Sequence, residues 1–360
     1  MERGVAYYIT AHGYGHGRRS CDIIRAFRRL RPEVPVWVVS GLDEAFVRSQ
    51  LGPGGYALRP GSFDVGMVQL DSIRVDVEAT LDRVERLCSR RRELIDAESV
   101  FLRERRIGVV VADIPAFPIE AAAGMGVPAL AVGNFSWDWI YAGFLDRSPR
   151  WRAVVDIFAA GYARTDMLLR LPFSPAMDSF PRSEEIPLVA TPGRCRREEI
   201  ARIAGCDPDR EWVLLSFTTL EWDDGALARA AENGDREFFT VLPLRWESPH
   251  FHALDRERVP FSDVVASVDA VVSKPGFGIL SDCVVNHKPL AYAERSDFRE
   301  YPVLEAAVGR YLKHVHIPAE ELYRGNLGPF LDRLELSAGP AERLTGGGDE
   351  IAAARIAQYL

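Results

Sequence analysis

The sequence predicts an α/β protein built from two parallel-sheet domains. Apolar runs of strand length alternate with helical stretches along most of the chain, which is the pattern of a parallel sheet covered on both faces. With 360 residues, the chain is long for one hydrophobic core and sufficient for two. Residues 171–197 are rich in proline and lose the periodicity, so we predict the connection between the domains there.

The first domain, for which we predict residues 1–175, begins with the buried strand GVAYYIT and a helix over residues 18–31. A strand, VPVWVVSG, a short helix, DEAFVRSQL, and a long amphipathic segment over residues 75–105 follow. The strand IGVVVADIP, a helix around residues 120–123 and the strand PALAVGNFS complete the alternation.

The second domain, for which we predict residues 176–338, repeats this alternation. Its strands are predicted at EWVLLSF, EFFTVLPL and AVVS, and a helix is expected to begin near residue 279 or 280. The remaining residues, 339–360, contain a glycine run and then EIAAARIAQYL, which we predict to be helical. We expect this terminal helix to pack back on the N-terminal domain.

Composition and charge exclude several classes of protein. The chain is 47% hydrophobic and 27% charged, and its net charge of -8 argues against a surface that binds nucleic acid. Its five cysteines are scattered without a CxxC pair, which indicates neither a zinc site nor a disulfide framework. We see no signal segment and no run of about 18 apolar residues, so we expect a cytoplasmic chain without an integral membrane segment. No feature indicates an oligomeric state.

The loop HGYGHG, residues 12–17, lies where the first strand ends and a helix follows. Ligands of open α/β sheets bind at the carboxyl ends of strands, and glycines let them approach the backbone closely. The loop matches neither the dinucleotide fingerprint nor a Walker phosphate loop. One reading is therefore a histidine, His12 or His16, that acts as a base. The other is that these histidines only cap the helix or hydrogen-bond the loop.

A carboxylate follows another predicted central strand. In VVVADIPAFP the apolar run leads directly to Asp113. Because two strands of one sheet end at the same edge, Asp113 could hold an imidazole in one tautomer and stabilise the imidazolium formed when it removes a proton. The alternative is a carboxylate that caps the loop or helix before Pro115.

The second domain has a glycine-containing turn, SKPGFG, after the strand AVVS. The helix that follows would present N-terminal amides suited to a diphosphate. Asp282, one turn inside that helix, could accept hydrogen bonds from a ribose diol. The next loop adds three polar residues, Asp297, Arg299 and Glu300.

The aromatic segment NFSWDWIY follows the strand ALAVG. Its alternating rings are typical of a hydrophobic core. Asn134 and Asp138 beside them could instead line an acceptor pocket, and Asp71 has a weaker claim to the same role.

These segments resemble the GT-B glycosyltransferases. YYITAHGYGHGRR, VVADIPAFPIEAAAGMGVPALAVGNFSWDWIY and DAVVSKPGFGILSDCVVNHKPL are most similar to the glycosyltransferase-like N-terminal half of L-arabinokinases. More distantly, the chain is similar to the lipid II-forming N-acetylglucosaminyl transferase and to UDP-glycosyltransferases. The resemblance extends from residue 5 to about residue 335. It implies the GT-B fold, in which two Rossmann-like domains face each other across a cleft.

The resemblance also implies roles for individual residues. His16 falls at the position of the base that deprotonates the acceptor, and Asp113 falls near the carboxylate that partners it. His12 would then be structural or face the acceptor, and Asp282 stands where the family commonly has a glutamate that binds the ribose. The donor-binding positions that the resemblance implies are Ser216, Thr218, Gly276, Gly278, Asp282 and Glu300.

We therefore expect an inverting glycosyltransferase that uses a nucleoside diphosphate sugar, a UDP-sugar, and a small-molecule acceptor. Helix amides and Lys274 would offset the charge of the leaving diphosphate, so neither a metal ion nor another cofactor is expected. Two alternatives remain. One is a non-catalytic module that binds a sugar or nucleotide, and the other is a nucleotide-sugar epimerase on the same fold.

Overall fold

The computed structural model describes residues 3–70, 74–232, 234–296 and 298–360. The chain forms two compact units. The first comprises Met1–Val68, Asp76–Ala190 and Gly346–Leu360, and the second comprises Gln69–Val75 and Thr191–Thr345. Each unit contains its own β-sheet, and all strand pairs in both sheets are parallel. The predicted α/β class with two parallel sheets is confirmed.

The first sheet has the strand order β3-β2-β1-β4-β5-β6-β7. Its strands are β1 Gly4–Ile9, β2 Val36–Ser40, β3 Ala57–Pro60, β4 Ile107–Asp113, β5 Ala129–Gly133, β6 Met167–Arg170 and β7 Ser183–Glu185. Strands β1, β4 and β5 are buried along their whole length, because helices cover both faces of the sheet. The chain winds outward from β1 in one direction and from β4 in the other, so the order reverses between these two strands.

The helices that follow these strands in the described ranges are α1 Tyr14–Leu30, α2 Glu44–Leu51, α3 Val77–Ser89, α4 Arg91–Glu104, α5 Phe117–Gly124, α6 Trp137–Ala142 and α7 Arg150–Tyr162. Helix α1 begins four residues earlier than predicted, because Gly13 adopts a φ of 101° that ends the loop directly before Tyr14. The long segment predicted over residues 75–105 is two helices that separate at Arg90, where the backbone leaves the helical conformation.

The second sheet has the order β10-β9-β8-β11-β12-β13, which reverses between β8 and β11. Its strands are β8 Glu211–Ser216, β9 Arg236–Val241, β10 Phe251–Leu254, β11 Ala270–Ser273, β12 Leu290–Ala293 and β13 His314–Ile317. Its helices are α8 Arg197–Ala204, α9 Asp224–Ala231, α10 Phe261–Ser267, α11 Phe277–Val285, α12 Tyr301–Tyr311, α13 Ala319–Tyr323 and α14 Gly328–Leu336.

The C-terminal helix α15, Gly348–Gln358, belongs to the first unit and packs against α1. Ala352, Ala353 and Ile356 are fully buried in the same hydrophobic core as β1 and β4. The side chain of Arg355 also binds the carboxylate of Glu184 in β7 through two nitrogens. The expectation that the terminal helix packs back on the N-terminal domain is confirmed.

The first unit continues past the boundary placed after residue 175 from the sequence. Strand β7 pairs with β6, so the chain stays in the first sheet until Glu185, and the two units divide between Ala190 and Thr191. This division falls inside the proline-rich stretch of residues 171–197.

None of the helices in the described ranges is long and apolar enough to cross a membrane.

Candidate functional site

The point at which the first sheet reverses its strand order brings the predicted site residues together. Strand β1 ends at Ile9, which pairs directly with Asp113 at the end of β4. The loop after β1 then leads into α1, and His16 is the third residue of that helix. In open α/β sheets this reversal point is where ligands bind, at the carboxyl ends of the strands.

His16 and Asp113 form the pair that was predicted. The imidazole Nδ1 lies 2.8 Å from Asp113 Oδ1, and the two side chains are 11% and 0% exposed. The ring of His16 also meets the edge of Phe135, with 5.5 Å between ring centroids. If Nδ1 carries the proton and donates to Asp113, Nε2 is left with a lone pair. Nε2 has no hydrogen-bond partner among the described residues.

Arg19 joins this pair, and the sequence analysis missed it. Its Nε donates to Asp113 Oδ2 at 2.7 Å, and its Nη2 donates to Asp113 Oδ1 at 2.6 Å. Its Nη1 donates to Asn134 Oδ1 at 2.8 Å, while Ser20 adds a hydrogen bond to Asp113 Oδ2 at 2.8 Å. The signal was present in HGRRS, because residues three apart on a helix share a face and Arg19 follows His16 by three.

The guanidinium of Arg19 changes the protonation of both partners. Burial alone would raise the pKa of Asp113, but the charges and hydrogen bonds of Arg19 and His16 outweigh it and hold that pKa below its usual range. Burial and the positive charge of Arg19 lower the pKa of His16, and Asp113 only partly opposes them. The site at neutral pH therefore contains an ionised Asp113 and a neutral His16.

Two neighbours compete for Nδ1 of the neutral imidazole. Asp113 Oδ1 lies 2.8 Å from Nδ1 and, as a carboxylate, can only accept a hydrogen bond. Arg19 Nη2 lies 2.9 Å from the same atom and can only donate. Nε2 is free to take a proton in the tautomer that carries its hydrogen on Nδ1 and donates it to Asp113.

A second carboxylate, Asp64, lies in the loop after β3 at the same edge of the first sheet. Thr10 donates to its Oδ1 at 2.8 Å, and the indole of Trp137 donates to its Oδ2 at 3.0 Å. His12 meets the edge of Trp137, with 5.8 Å between ring centroids, and accepts a hydrogen bond from the amide of Met67 at 3.4 Å. The sequence analysis missed Asp64, which lies four residues beyond the end of β3, whereas Asp113 is the last residue of β4.

Burial raises the pKa of Asp64 to about 6, compared with 3.8 for a free carboxyl. A group with a raised folded-state pKa contributes most stability below its unfolded pKa, and this contribution is lost as the pH rises through the folded value. We therefore expect the free energy of unfolding of the wild type to fall by about 2 kcal/mol relative to Asp64→Asn between pH 4 and pH 7. Urea denaturation of both proteins across this range measures the difference. A difference that stays constant with pH would show that Asp64 does not titrate there.

The other predicted acceptor residues are buried at the start of α6. Asn134 is 3% exposed, and its side-chain oxygen accepts a hydrogen bond from Arg19 Nη1. Asp138 is 8% exposed; its Oδ2 accepts a hydrogen bond from Ser179, and its Oδ1 is buried with no partner in the described part of the chain. The aromatic part of the segment is core, because Trp137 stacks on Tyr141. Acceptor binding by His12, Asn134 and Asp138 stays a prediction, and Asp71 lies outside the described residues.

The second sheet reverses its order between β8 and β11, and the predicted donor turn follows β11. The hydroxyl of Ser273 at the end of β11 donates to the carbonyl of Ser216 at the end of β8, at 2.8 Å. Helix α11 begins after Gly276, which provides no side-chain cap for its amides. A Cβ built on Gly276 would meet nothing closer than 3.9 Å, and its φ of -153° suits any residue. Neither crowding nor backbone conformation therefore requires glycine here, and the space beside this backbone is open to a ligand.

The remaining donor predictions differ in how accessible the residues are. Thr218 and Gly278 are exposed, whereas Ser216 and Lys274 are half-buried. Asp282 is only 3% exposed within α11, so its carboxylate is less accessible than a ribose-binding residue was expected to be. Glu300 immediately precedes α12, and Asp297 lies outside the described residues. These donor roles stay predictions.

In the described ranges, no three histidine, cysteine, aspartate or glutamate side chains are grouped so that they could hold a metal ion.

No family model matches the chain. The chain is 28% identical to the L-arabinokinase of Arabidopsis thaliana over 362 residues, which is 97% of this chain and 33% of the relative. It thus spans about a third of the length of that relative. The resemblance to L-arabinokinases drawn from the sequence is confirmed at this level.

Several solved structures share the fold over the whole chain. UGT89C1 of Arabidopsis thaliana, in complex with quercetin, is 13% identical with a TM-score of 0.67, and the match covers 100% of both chains. The same protein in complex with UDP-L-rhamnose matches with a TM-score of 0.59 at 13% identity, covering 94% of each chain. The glycosyltransferase SnogD from Streptomyces nogalater is 17% identical with a TM-score of 0.59, covering 99% of this chain and 95% of SnogD. With a parallel sheet in each unit, this chain has the GT-B fold of these glycosyltransferases.

Proposed function

We propose that the chain transfers a sugar from a nucleoside diphosphate sugar, a UDP-sugar, to a small-molecule acceptor, with inversion and without a metal ion. The observation that carries this proposal is the position of the His16 imidazole, whose Nδ1 lies 2.8 Å from Asp113 Oδ1 at the strand-order reversal of the first sheet. The UDP-L-rhamnose and quercetin bound by UGT89C1 support a nucleotide-sugar donor and a small-molecule acceptor.

In the proposed reaction, Nε2 of His16 takes the proton from the acceptor's nucleophilic group. The acceptor atom attacks the anomeric carbon from the face opposite the diphosphate. A bond forms between these two atoms, the bond from the anomeric carbon to the diphosphate oxygen breaks, and its electron pair leaves with UDP. One displacement of this kind inverts the anomeric centre.

The second unit would bind the leaving group. The N-terminal amides of α11 and the ammonium of Lys274 would stabilise the negative charge that develops on the diphosphate. The open space beside Gly276 would let the phosphates reach these amides. A metal ion is not needed in this scheme, because helix and side chain supply the positive potential.

The test is calorimetric titration of the purified chain with UDP, GDP, ADP and TDP in the presence of EDTA. Selective binding of UDP without a divalent metal would support the donor assignment. A panel of UDP-sugars, each tested with and without candidate acceptors, then measures turnover. If none of the four nucleotides binds at millimolar concentration, the donor assignment fails.

A second candidate is a module that binds a sugar or nucleotide without transferring it. Arg19 favours this candidate, because it engages both oxygens of Asp113 and thereby weakens Asp113 as the partner of His16. The L-arabinokinase relative is named for a different reaction, and the chain matches only a third of it. Nucleotide binding without turnover of any sugar donor would identify the module. Turnover without an acceptor would instead indicate an epimerase or a hydrolase.

A further inference from the structure

Arg295 lies two residues after β12, at the carboxyl end of that strand in the second unit. Its side chain is only 7% exposed, and its Nε is buried without a hydrogen-bond partner in the described part of the chain. Its ion pair with Glu300 joins Nη1 to Oε1 at 3.8 Å, which is too long for a hydrogen bond. A buried donor without an acceptor is costly, so this N–H group calls for a partner that none of the described residues provides.

The geometry of the guanidinium determines which kind of partner fits. Glu300 lies beside Nη1, and the guanidinium carbon lies over the ring of Phe298, 3.1 Å from its centroid. The edge formed by Nε and Nη2 has no hydrogen-bond acceptor among the described residues. Two parallel N–H groups on this edge match the two oxygens of a carboxylate or phosphate, which arginine commonly binds in this bidentate manner.

The position of Arg295 in the chain puts it at the same edge of the sheet as the predicted donor turn. Strand β12 pairs with β11, and β11 leads through Lys274 into the turn at Gly276. Both strands end at the same edge of the sheet, where ligands of this fold class bind. The charge of Arg295 is also poorly compensated, since burial lowers its pKa to about 10 and Glu300 only partly opposes this shift.

We propose that the Nε–Nη2 edge of Arg295 binds an oxyanion of the donor, either the diphosphate or the carboxylate of a uronic acid sugar. This inference rests on the proposed function, because it takes the ligand to be a nucleotide sugar. Glu300, on the other side of the guanidinium, keeps Arg295 oriented toward the ligand.

The test compares the wild type with Arg295→Lys, which keeps the positive charge but loses the two parallel N–H donors of Nε and Nη2. Calorimetry measures the dissociation constants of uridine, UDP, UDP-glucose and UDP-glucuronate for both proteins. Arg202→Lys, at an exposed position of α8 in the same unit, is the matched control. Loss of a charge-assisted bidentate contact should weaken binding roughly 10- to 100-fold.

The ligands whose dissociation constants change in Arg295→Lys show whether the oxyanion is the diphosphate or a sugar carboxylate. If it is the diphosphate, Arg295→Lys weakens UDP binding by this factor and leaves uridine binding unchanged. If it is a sugar carboxylate, the wild type binds UDP-glucuronate at least about tenfold more tightly than UDP-glucose, and Arg295→Lys removes that preference. Wild-type constants for all four ligands in Arg295→Lys would overturn the proposal.

A second measurement separates failure of this inference from failure of the proposed function. In protein labelled with 15N-arginine, the Nε–H signal of Arg295 is identified by its absence in Arg295→Lys. Inorganic pyrophosphate or D-glucuronate should shift this signal, even if no nucleotide binds to the wild type. A shift without nucleotide binding would retain the oxyanion site and reject the nucleotide-sugar donor. If neither anion shifts the signal, Arg295 does not bind an oxyanion.

Discussion

His16→Ala is expected to lower the turnover number at least about a hundredfold, the scale for loss of a general base, while the dissociation constant of UDP stays nearly unchanged. The two effects are expected to separate because the proposed base and the predicted diphosphate-binding residues belong to different units. His16 lies at the strand-order reversal of the first unit, whereas the predicted diphosphate turn belongs to the second. Removing the imidazole therefore removes the proposed proton transfer and leaves every predicted donor-binding residue in place. Steady-state kinetics with a UDP-sugar and an accepted acceptor, together with calorimetry with UDP, measure both quantities.

The matched control is His287→Asn, at an exposed imidazole between α11 and β12, on the opposite edge of the second sheet from the predicted donor turn; asparagine tolerates the φ of 54° at this position. Its turnover should equal that of the wild type within a factor of about two, since a surface substitution away from the site has little effect. Wild-type turnover in His16→Ala would exclude His16 as the base. A large loss of UDP affinity in His16→Ala would instead show that its effect on turnover is indirect.

The fold could be predicted because its signals are local. The apolar runs that became β1, β4 and β5 are continuous and buried on both faces, and turn residues or charged helices interrupt them. The site pair followed from the same pattern, since a polar residue directly after such a strand lies at the edge where the other strands end. His16 and Asp113 are 97 residues apart in sequence and 2.8 Å apart in the structure.

The partners of these residues could not be predicted in the same way. Arg19 looked like one of many arginines on a charged helix face, and only the burial of that face against the ends of β4 and β5 makes it an ion-pair partner of Asp113. Asp64 lies in a loop without periodicity, and its contacts with Thr10 and Trp137 depend on how that loop folds over the sheet. Arg295 was overlooked because its defining property is a missing hydrogen bond.

The burial of Asp282 shows a further limit of motif reasoning. Asp282 lies in α11 as predicted, but the helix begins at Phe277, two or three residues earlier than expected, so Asp282 lies more than one turn inside it. A sequence position fixes the face of a helix only when the start of the helix and its packing are both known. The side chain is on the buried face, and its contact with a ribose needs a direct binding measurement.

Arg19→Met is expected to raise the pKa of His16 and to destabilise the protein. The cation of Arg19 now opposes protonation of His16, so its removal leaves Asp113 as an uncompensated anion beside the imidazole. Breaking a buried ion pair by removing one partner costs about 3–5 kcal/mol of stability. Titration of the His16 ring signals by NMR measures the pKa, and urea denaturation measures the stability.

The kinetic consequence has a definite sign. A base with a higher pKa is protonated at higher pH, so the acid limb of the pH profile of kcat/KM should move to higher pH in Arg19→Met. Arg19→Lys keeps the charge and should move the limb less, although it cannot reproduce the bidentate contact with Asp113. An unchanged His16 pKa in Arg19→Met would show that burial alone sets the pKa of the base.

The double variant Arg19→Met/Asp113→Asn separates the electrostatic role of Arg19 from its packing. With both charges removed, no uncompensated anion remains, so most of the lost stability should return. The pKa of His16 should then fall below its value in Arg19→Met, because the anion that favoured the imidazolium is gone. If the double variant stays as unstable as Arg19→Met, the cost comes from the lost packing and the hydrogen bond to Asn134. In that case Arg19 stabilises the protein through its packing and this hydrogen bond rather than through its charge.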